Sequence, residues 1–270
     1  MPQRIAASIS PFVAIGATVA LLSFAGAVTT EAAAQSFTVY QAAGANAAGI
    51  QQTVDRYRTA LGELNANNPG SVGSGRREIN WDGVPDENSD PALFPPDFFN
   101  ANIAGRARGA VFSTPSRRLM VSTDSDNPTN TPVEYGRINP TYPGQFATFS
   151  PPRLFTALGS RNIVDVHFFI PGSNTRATTT GFGAVFTDVD LANRTSIAYY
   201  DRRGRLLHWQ WVPARPGAGT LSFAGVAFRQ AVVWRVRIIS GTIGLGPNDD
   251  PRRGRDVVVM DDFIYGEPRR

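Results

Sequence analysis

From Gly109 to the C-terminus, short apolar runs alternate with clusters of turn-forming residues. Within the runs the period is two: Val164, Val166, Phe168 and Ile170 are set against Asp165 and His167, and Val232, Trp234, Val236 and Ile238 against Arg235 and Arg237. That alternation predicts antiparallel strands with one face in a core and the other in water. Strands are expected over Ala110–Ser113, Leu119–Ser122, Gln145–Phe149, Ile163–Ile170, Thr179–Val189, Ser196–Tyr200, Leu206–Val212, Leu221–Phe228, Ala231–Ile239 and Asp256–Tyr265. Asp201-Arg202-Arg203-Gly204 between two of them reads as a hairpin turn, with Gly204 supplying the positive backbone angle. About ten strands at this spacing predict a mainly all-β chain, an antiparallel two-sheet, jelly-roll-like β-sandwich with one N-terminal helix.

The helix is expected at 45–64, where Ile50, Val54, Tyr57, Leu61 and Leu64 recur at spacings of three and four and Gly62 marks a stop. It should pack against its own domain, as a lid on one edge of the sheets. Residues 66–108 carry Asn67-Asn68-Pro69-Gly70 and four prolines from Pro85 to Pro96, so an ordered loop is expected there, with a short extended piece at Glu78–Trp81 and apolar anchors at Phe94, Phe98 and Phe99. At the start of the chain, Met1 to Arg4 is positive, Ile5 to Val28 is uncharged and apolar, and Ala32-Ala33-Ala34 offers small residues to a signal peptidase. This predicts a secretion signal over 1–34, cleaved before Gln35, with an uncleaved anchor as the alternative. The expected division is therefore a signal at 1–34, a helix and loop region at 35–108 packing on the sandwich, and the sandwich at 109–270.

Composition narrows the classes. Charged residues are 18% and hydrophobic residues 42%, enough for a packed interior, and the 26 glycines and 20 prolines suit many short strands joined by turns. Cysteine is absent, so no disulfide supports the fold outside the cytoplasm. The 26 basic residues are all arginines, scattered in small groups such as Arg76-Arg77 and Arg202-Arg203 with no continuous stripe, a distribution that argues against nucleic acid and leaves an anionic glycan open.

Several segments carry a family likeness: Gly75-Arg-Arg-Glu-Ile-Asn-Trp-Asp-Gly-Val-Pro85, Gly181 to Asp190, Ser196 to Asp201, Phe223 to Phe228, Val236 to Gly241 and Val259 to Gly266. Together they resemble a group of uncharacterised bacterial secreted proteins and the jelly-roll domains of PEP-CTERM-type exported proteins. The sorting tag of those proteins is not found; the chain ends in Glu267-Pro268-Arg269-Arg270. The resemblance implies a sandwich fold and a secreted, periplasmic or cell-surface location, and it brings no activity with it.

Candidate chemistry is sparse. Asp261 and Asp262 occupy successive positions of the last strand and should face opposite sides, so one of them needs a partner indoors. Together with Asp82, Asp188 and Asp190 they could gather on one structural Ca2+, which accepts a loose shell of carboxylate and backbone oxygens; turn and capping aspartates paired with arginine are the plainer alternative. Tyr199, Tyr200, Trp209 and Trp211 on adjacent strands could stack on sugar rings, unless their side of the sheet is the core. His167 and His208 lie in strands without a serine motif or metal-ligand spacing. The leading expectation is a non-catalytic exported sandwich that binds an extracellular glycan or another cell-envelope component, with no stable transmembrane segment once the signal is removed. A self-assembling structural or matrix protein comes second, and a carbohydrate-active hydrolase working through two carboxylates comes third.

Overall fold

The computed structural model describes Met1 and residues 36–159 and 162–270; the expected signal segment lies outside the described residues. In chain order the elements are β1 (Phe37–Gly44), α1 (Ala47–Leu61), β2 (Arg76–Ile79), β3 (Ala110–Ser113), β4 (Leu119–Val121), β5 (Phe155–Ala157), β6 (Ile163–Phe168), β7 (Gly181–Thr187), β8 (Ser196–Tyr200), β9 (Leu206–Trp211), β10 (Leu221–Phe228), β11 (Arg235–Ile239) and β12 (Val259–Gly266). They form two antiparallel sheets, one in the order β1-β10-β7-β12-β5-β4 with β2 also on β12, the other in the order β3-β6-β11-β8-β9. From β5 to β8 and again from β9 to β12, successive strands cross between the sheets, which buries the inward parity of both in one core.

Residues 36–108 also contribute strands, because β1 pairs along its whole length with β10, and β2 extends the far side of β12. Two expectations along the chain fail locally. Gln145–Phe149 is not a strand, since it follows a helical turn at Tyr142–Gly144 and runs into Pro151-Pro152. Trp234 precedes β11 instead of filling the core and lies half-buried under the guanidinium of Arg176, 4.2 Å from its ring centre.

α1 starts at Asn46, whose side chain accepts the Gly49 amide, and stops at Gly62. It lies across the outer face of the seven-stranded sheet and not at an edge: Ile50, Val54, Tyr57 and Leu61 pack on Val185, Phe223 and Ile264. Gly183 and Gly225, paired across β7 and β10, make the seat for it. A Cβ at Gly183 would stand 2.8 Å from Tyr57 Cε1, so the ring can lie flat only where the sheet has no side chains. Covered on both faces, β7 and β12 are buried at every residue, which accounts for the near-continuous apolar run of β7 and leaves Asp261 and Asp262 as buried acidic groups within β12.

The Gly75–Pro85 segment anchors the other end of this sheet. Arg77 is fully buried in a two-pronged ion pair with Glu267, Nε to Oε2 at 2.6 Å and Nη2 to Oε1 at 2.9 Å, and its Nη1 donates to the carbonyls of Ala66 and Ala107. Trp81 adopts a positive φ of 68° and inserts its ring among Phe94, Phe99, Phe112, Phe155 and Phe263, stacked on Phe155 at 4.0 Å.

Candidate functional site

Three places in the described molecule gather chemically capable side chains.

The first is the bulge in β12. Met260 faces Phe186 and Phe263 faces Ala184, so three steps on β12 match two on β7. The extra residue keeps both Met260 and Phe263 in the main core and puts Asp261 and Asp262 together on the outer side, where sequence parity had put them on opposite faces. β2 pairs with Phe263–Gly266 and β5 with Met260, leaving a gap beside the bulge into which Trp81 and Asp82 fold. Trp81 Nε1 donates to the Asp261 carbonyl at 2.9 Å. Asp261 Oδ2 accepts the amides of Phe149 (2.6 Å) and Ser150 (3.2 Å), while Asp262 takes the Ser150 hydroxyl and, at 3.2 Å, Arg58 Nη2 from α1. Burial pushes the carboxyl of Asp261 well up and that of Asp82 to about 7, and the neighbouring Asp262 charge adds to both. Arg58 also binds Glu78 through two hydrogen bonds, so counter-charge is on hand. This arrangement clamps the loop at 149–153 onto the sheet.

The second place is the end of the seven-stranded sheet where Leu221, Thr187 and Val259 stand side by side on β10, β7 and β12. The loops leaving these strands meet there. Asp188, with a left-handed φ of 67°, and Asp190 follow β7, while Asp249 and Asp256 precede β12. Asp256 accepts the amides of Asp190 (3.2 Å) and Leu191 (3.1 Å), Asp190 accepts that of Gly217 (2.7 Å), and Asp249 accepts that of Val257 (2.8 Å). Asp188 is 1% exposed, and its Oδ2 is sealed without a partner among the described residues. Burial first, then the charges of Asp249, Asp190 and Asp256, raise its carboxyl to about 8; burial likewise raises Asp256 to about 6.

The five acids expected to gather on one ion thus fall into two groups, Asp82, Asp261 and Asp262 at the bulge and Asp188 and Asp190 at the sheet end. No group of three His, Asp or Glu side chains among the described residues stands ready-made to hold a metal ion. Asp249 and Asp256 were not singled out from sequence. Their only signals were the turn Pro247-Asn-Asp-Asp-Pro251 and a position just ahead of a strand.

The third place is the outer face of the five-stranded sheet. Trp209 and Trp211 on edge strand β9 are 42% and 38% exposed, with ring centres 4.3 Å apart and planes at 73°. Their cross-strand partners are small, Ala198 beside Trp209 and Ser196 beside Trp211, so no large side chain stands opposite either ring. Farther in, Arg235 lies 4.0 Å over the Tyr200 ring, Arg237 pairs with Asp165 at 2.7 Å, and Arg176 and Arg202 flank Trp234. Tyr199 does not belong to this face. It is fully buried, donating to the Phe182 carbonyl at 3.0 Å and accepting from Gln210 at 3.2 Å, because its parity turns it into the core.

His167 on the same face meets the Ser113 hydroxyl at 3.0 Å, but its Nδ1 faces Arg176 at 3.5 Å where a catalytic triad places a carboxylate that accepts a hydrogen bond from the ring. Burial and the nearby arginines lower this imidazole to about 4. Among the described residues no helix is long and apolar enough to cross a membrane. Compared with models of known protein families, with characterised proteins and with solved structures, the chain matches none of them.

Proposed function

We propose that this protein is exported and binds an acidic glycan of the cell envelope on the outer face of the five-stranded sheet, without carrying out chemistry on it. The observation that carries the reading is the exposed Trp209–Trp211 pair, two indole rings beside alanine and serine on an edge strand. Sugar rings present apolar C–H faces that stack on such indoles, and burying large exposed aromatics is the strongest nonspecific gain a surface offers. Farther in on the same sheet, Arg235 and Arg237 share the carboxylate of Asp165, and Arg176 and Arg202 flank Trp234, an excess of positive charge that favours an anionic polymer. Export is supported by the positive start, apolar run and Ala32-Ala33-Ala34 triplet at the beginning of the chain.

The test is a glycan array probed with the protein and with Trp209→Ala/Trp211→Ala. Acidic polysaccharides should be retained, the double variant should bind about tenfold or more weakly at an unchanged melting temperature, and added salt should weaken both. Equal binding by the double variant, or retention of neutral glycans alone, would overturn the proposal.

One observation favours self-assembly as a second reading. Phe37 and Val39 on β1 and Leu206 on β9 are 40%, 41% and 57% exposed, and the two edge strands meet through side chains, Phe37 on His208 and Gln41 on the Trp211 carbonyl. Concentration-dependent oligomers abolished by Phe37→Ser/Val39→Ser would support it.

A further inference from the structure

In this chain arginine is the usual answer to a carboxylate: Asp86, Asp90, Asp124, Asp165, Asp201, Asp250, Asp262, Glu78 and Glu267 all have one within 4 Å. The four acids at the end of β7 and β12 are an exception. Asp188, Asp190, Asp249 and Asp256 form no ion pair among the described residues, although Arg253 and Arg255 are close enough to bind Asp250.

Their placement follows from sheet pairing. Thr187 opposes both Leu221 and Val259, so the loops after β7, before β10 and before β12 leave the sheet at one point. Backbone amides hold three of the carboxylates in place, with Asp256 tying Asp190 and Leu191 across loops, Asp190 fixed by Gly217 and Asp249 by Val257. Asp188 has no such partner. It is 99% removed from solvent by exposure, accepts no hydrogen bond among the described residues, and has the other three carboxylates as the charges acting on it. A buried carboxylate without a donor is unfavourable by itself, and three more beside it compound the cost unless a cation is shared.

We infer that Asp188, Asp190, Asp249 and Asp256 form a calcium site that fastens three loops to the end of the seven-stranded sheet. Calcium fits better than magnesium or a transition metal. The donors are carboxylate oxygens from the loops after β7 and before β12, and calcium tolerates six to eight oxygen ligands in an adaptable shell. The ion would complete the set by drawing in Asp188, whose side chain is the least tied. The bulge acids Asp82, Asp261 and Asp262 are different: Asp261 Oδ1 is buried without a partner among the described residues, but backbone amides, Ser150 and Arg58 satisfy the other Asp261 oxygen and the neighbouring carboxylates, and Arg58 supplies counter-charge. This inference is independent of the glycan platform.

The test is calorimetric titration of the chelator-treated protein with CaCl2 and with MgCl2, together with melting temperatures. One calcium per chain should bind, magnesium should bind at least about tenfold more weakly, and a hundredfold excess of calcium over Kd should raise Tm by about 5 °C or more. Asp188→Asn and Asp249→Asn should each weaken calcium at least about tenfold. Asp250→Asn, next door but paired with arginine, and Asp261→Asn at the bulge should leave it unchanged. Both loop variants keep the Asp256 clamp, so they should fold, and circular dichroism checks that they do. Absence of calcium binding to the wild type would mean that the cluster is neutralised by protons alone and would overturn the inference. So would binding that survives Asp188→Asn/Asp249→Asn or is lost in Asp261→Asn.

Discussion

Glu267→Gln is the most informative single change to the framework of the fold. The substitution keeps the shape of the side chain and removes its charge from a pair in which Arg77 and Glu267 are 0% and 1% exposed. Removing one partner of a buried, hydrogen-bonded ion pair costs about 3–5 kcal/mol, because the other charge stays desolvated without compensation. Glu267 also accepts from Asn65 Nδ2 and the Val72 amide, so the loop at 65–72 loosens with it. For a domain of this size, about 2–4 °C is lost per kcal/mol, so Tm should fall by about 6–20 °C. Urea unfolding followed by circular dichroism gives the free energy directly. Replacing the arginine should not relieve the defect. Arg77→Met would strip donors from the carbonyls of Ala66, Gly70 and Ala107, so Arg77→Met/Glu267→Gln should stay well below wild type, though above the sum of the two losses. A loss under about 1 kcal/mol for Glu267→Gln would refute this reasoning, since it would mean that water reaches the pair.

Three further outcomes are expected. Trp81→Ala opens a cavity among five aromatic rings and frees the Asp261 carbonyl, and should cost about 3–5 kcal/mol by chemical denaturation. Gly183→Ala drives a methyl group against Tyr57 and Phe223, and should cost about 1–3 kcal/mol and open α1 to limited proteolysis. With Asp82 raised to about 7 by burial, the folded state holds that proton more tightly than the unfolded chain. Its contribution to stability is therefore complete in acid and is lost as pH rises from the ordinary carboxylate range through about 7; in chelator, Asp82→Asn should flatten the decline of Tm between pH 5 and 8.

How much was legible in the sequence depended on how local the cause was. The strands β6 and β11 were read from alternation, since one face of each packs in the core while Asp165, Arg235 and Arg237 pair on the other. The Asp201–Gly204 hairpin was legible for the same reason: Gly204 has a φ of 75°, and the Asp201 carboxylate takes the amides of Arg203 and Arg205. β1 was not legible, because Phe37–Gly44 ends in alanines and glycine and owes its pairing to β10, far along the chain. The bulge at Asp261-Asp262 was hidden as well, since one inserted residue reverses parity and leaves no mark on composition. The calcium-binding proposal needed the register of β10, β7 and β12, which alone brings residues 188–190 to residues 249–256. Tyr199 and Tyr200 look equivalent in the sequence, and strand parity sends the first to the core and leaves the second half-buried beneath Arg235.

The glycan reading rests on two indoles, and their side-chain N–H resonances report on it most directly. The chain has four tryptophans, and Trp81 is sealed in the core, so it serves as an internal control. On titration with an acidic oligosaccharide retained on the array, the Trp209 and Trp211 signals should move and saturate together while the Trp81 signal stays in place. Saturable binding that leaves both Trp209 and Trp211 unmoved would contradict the account.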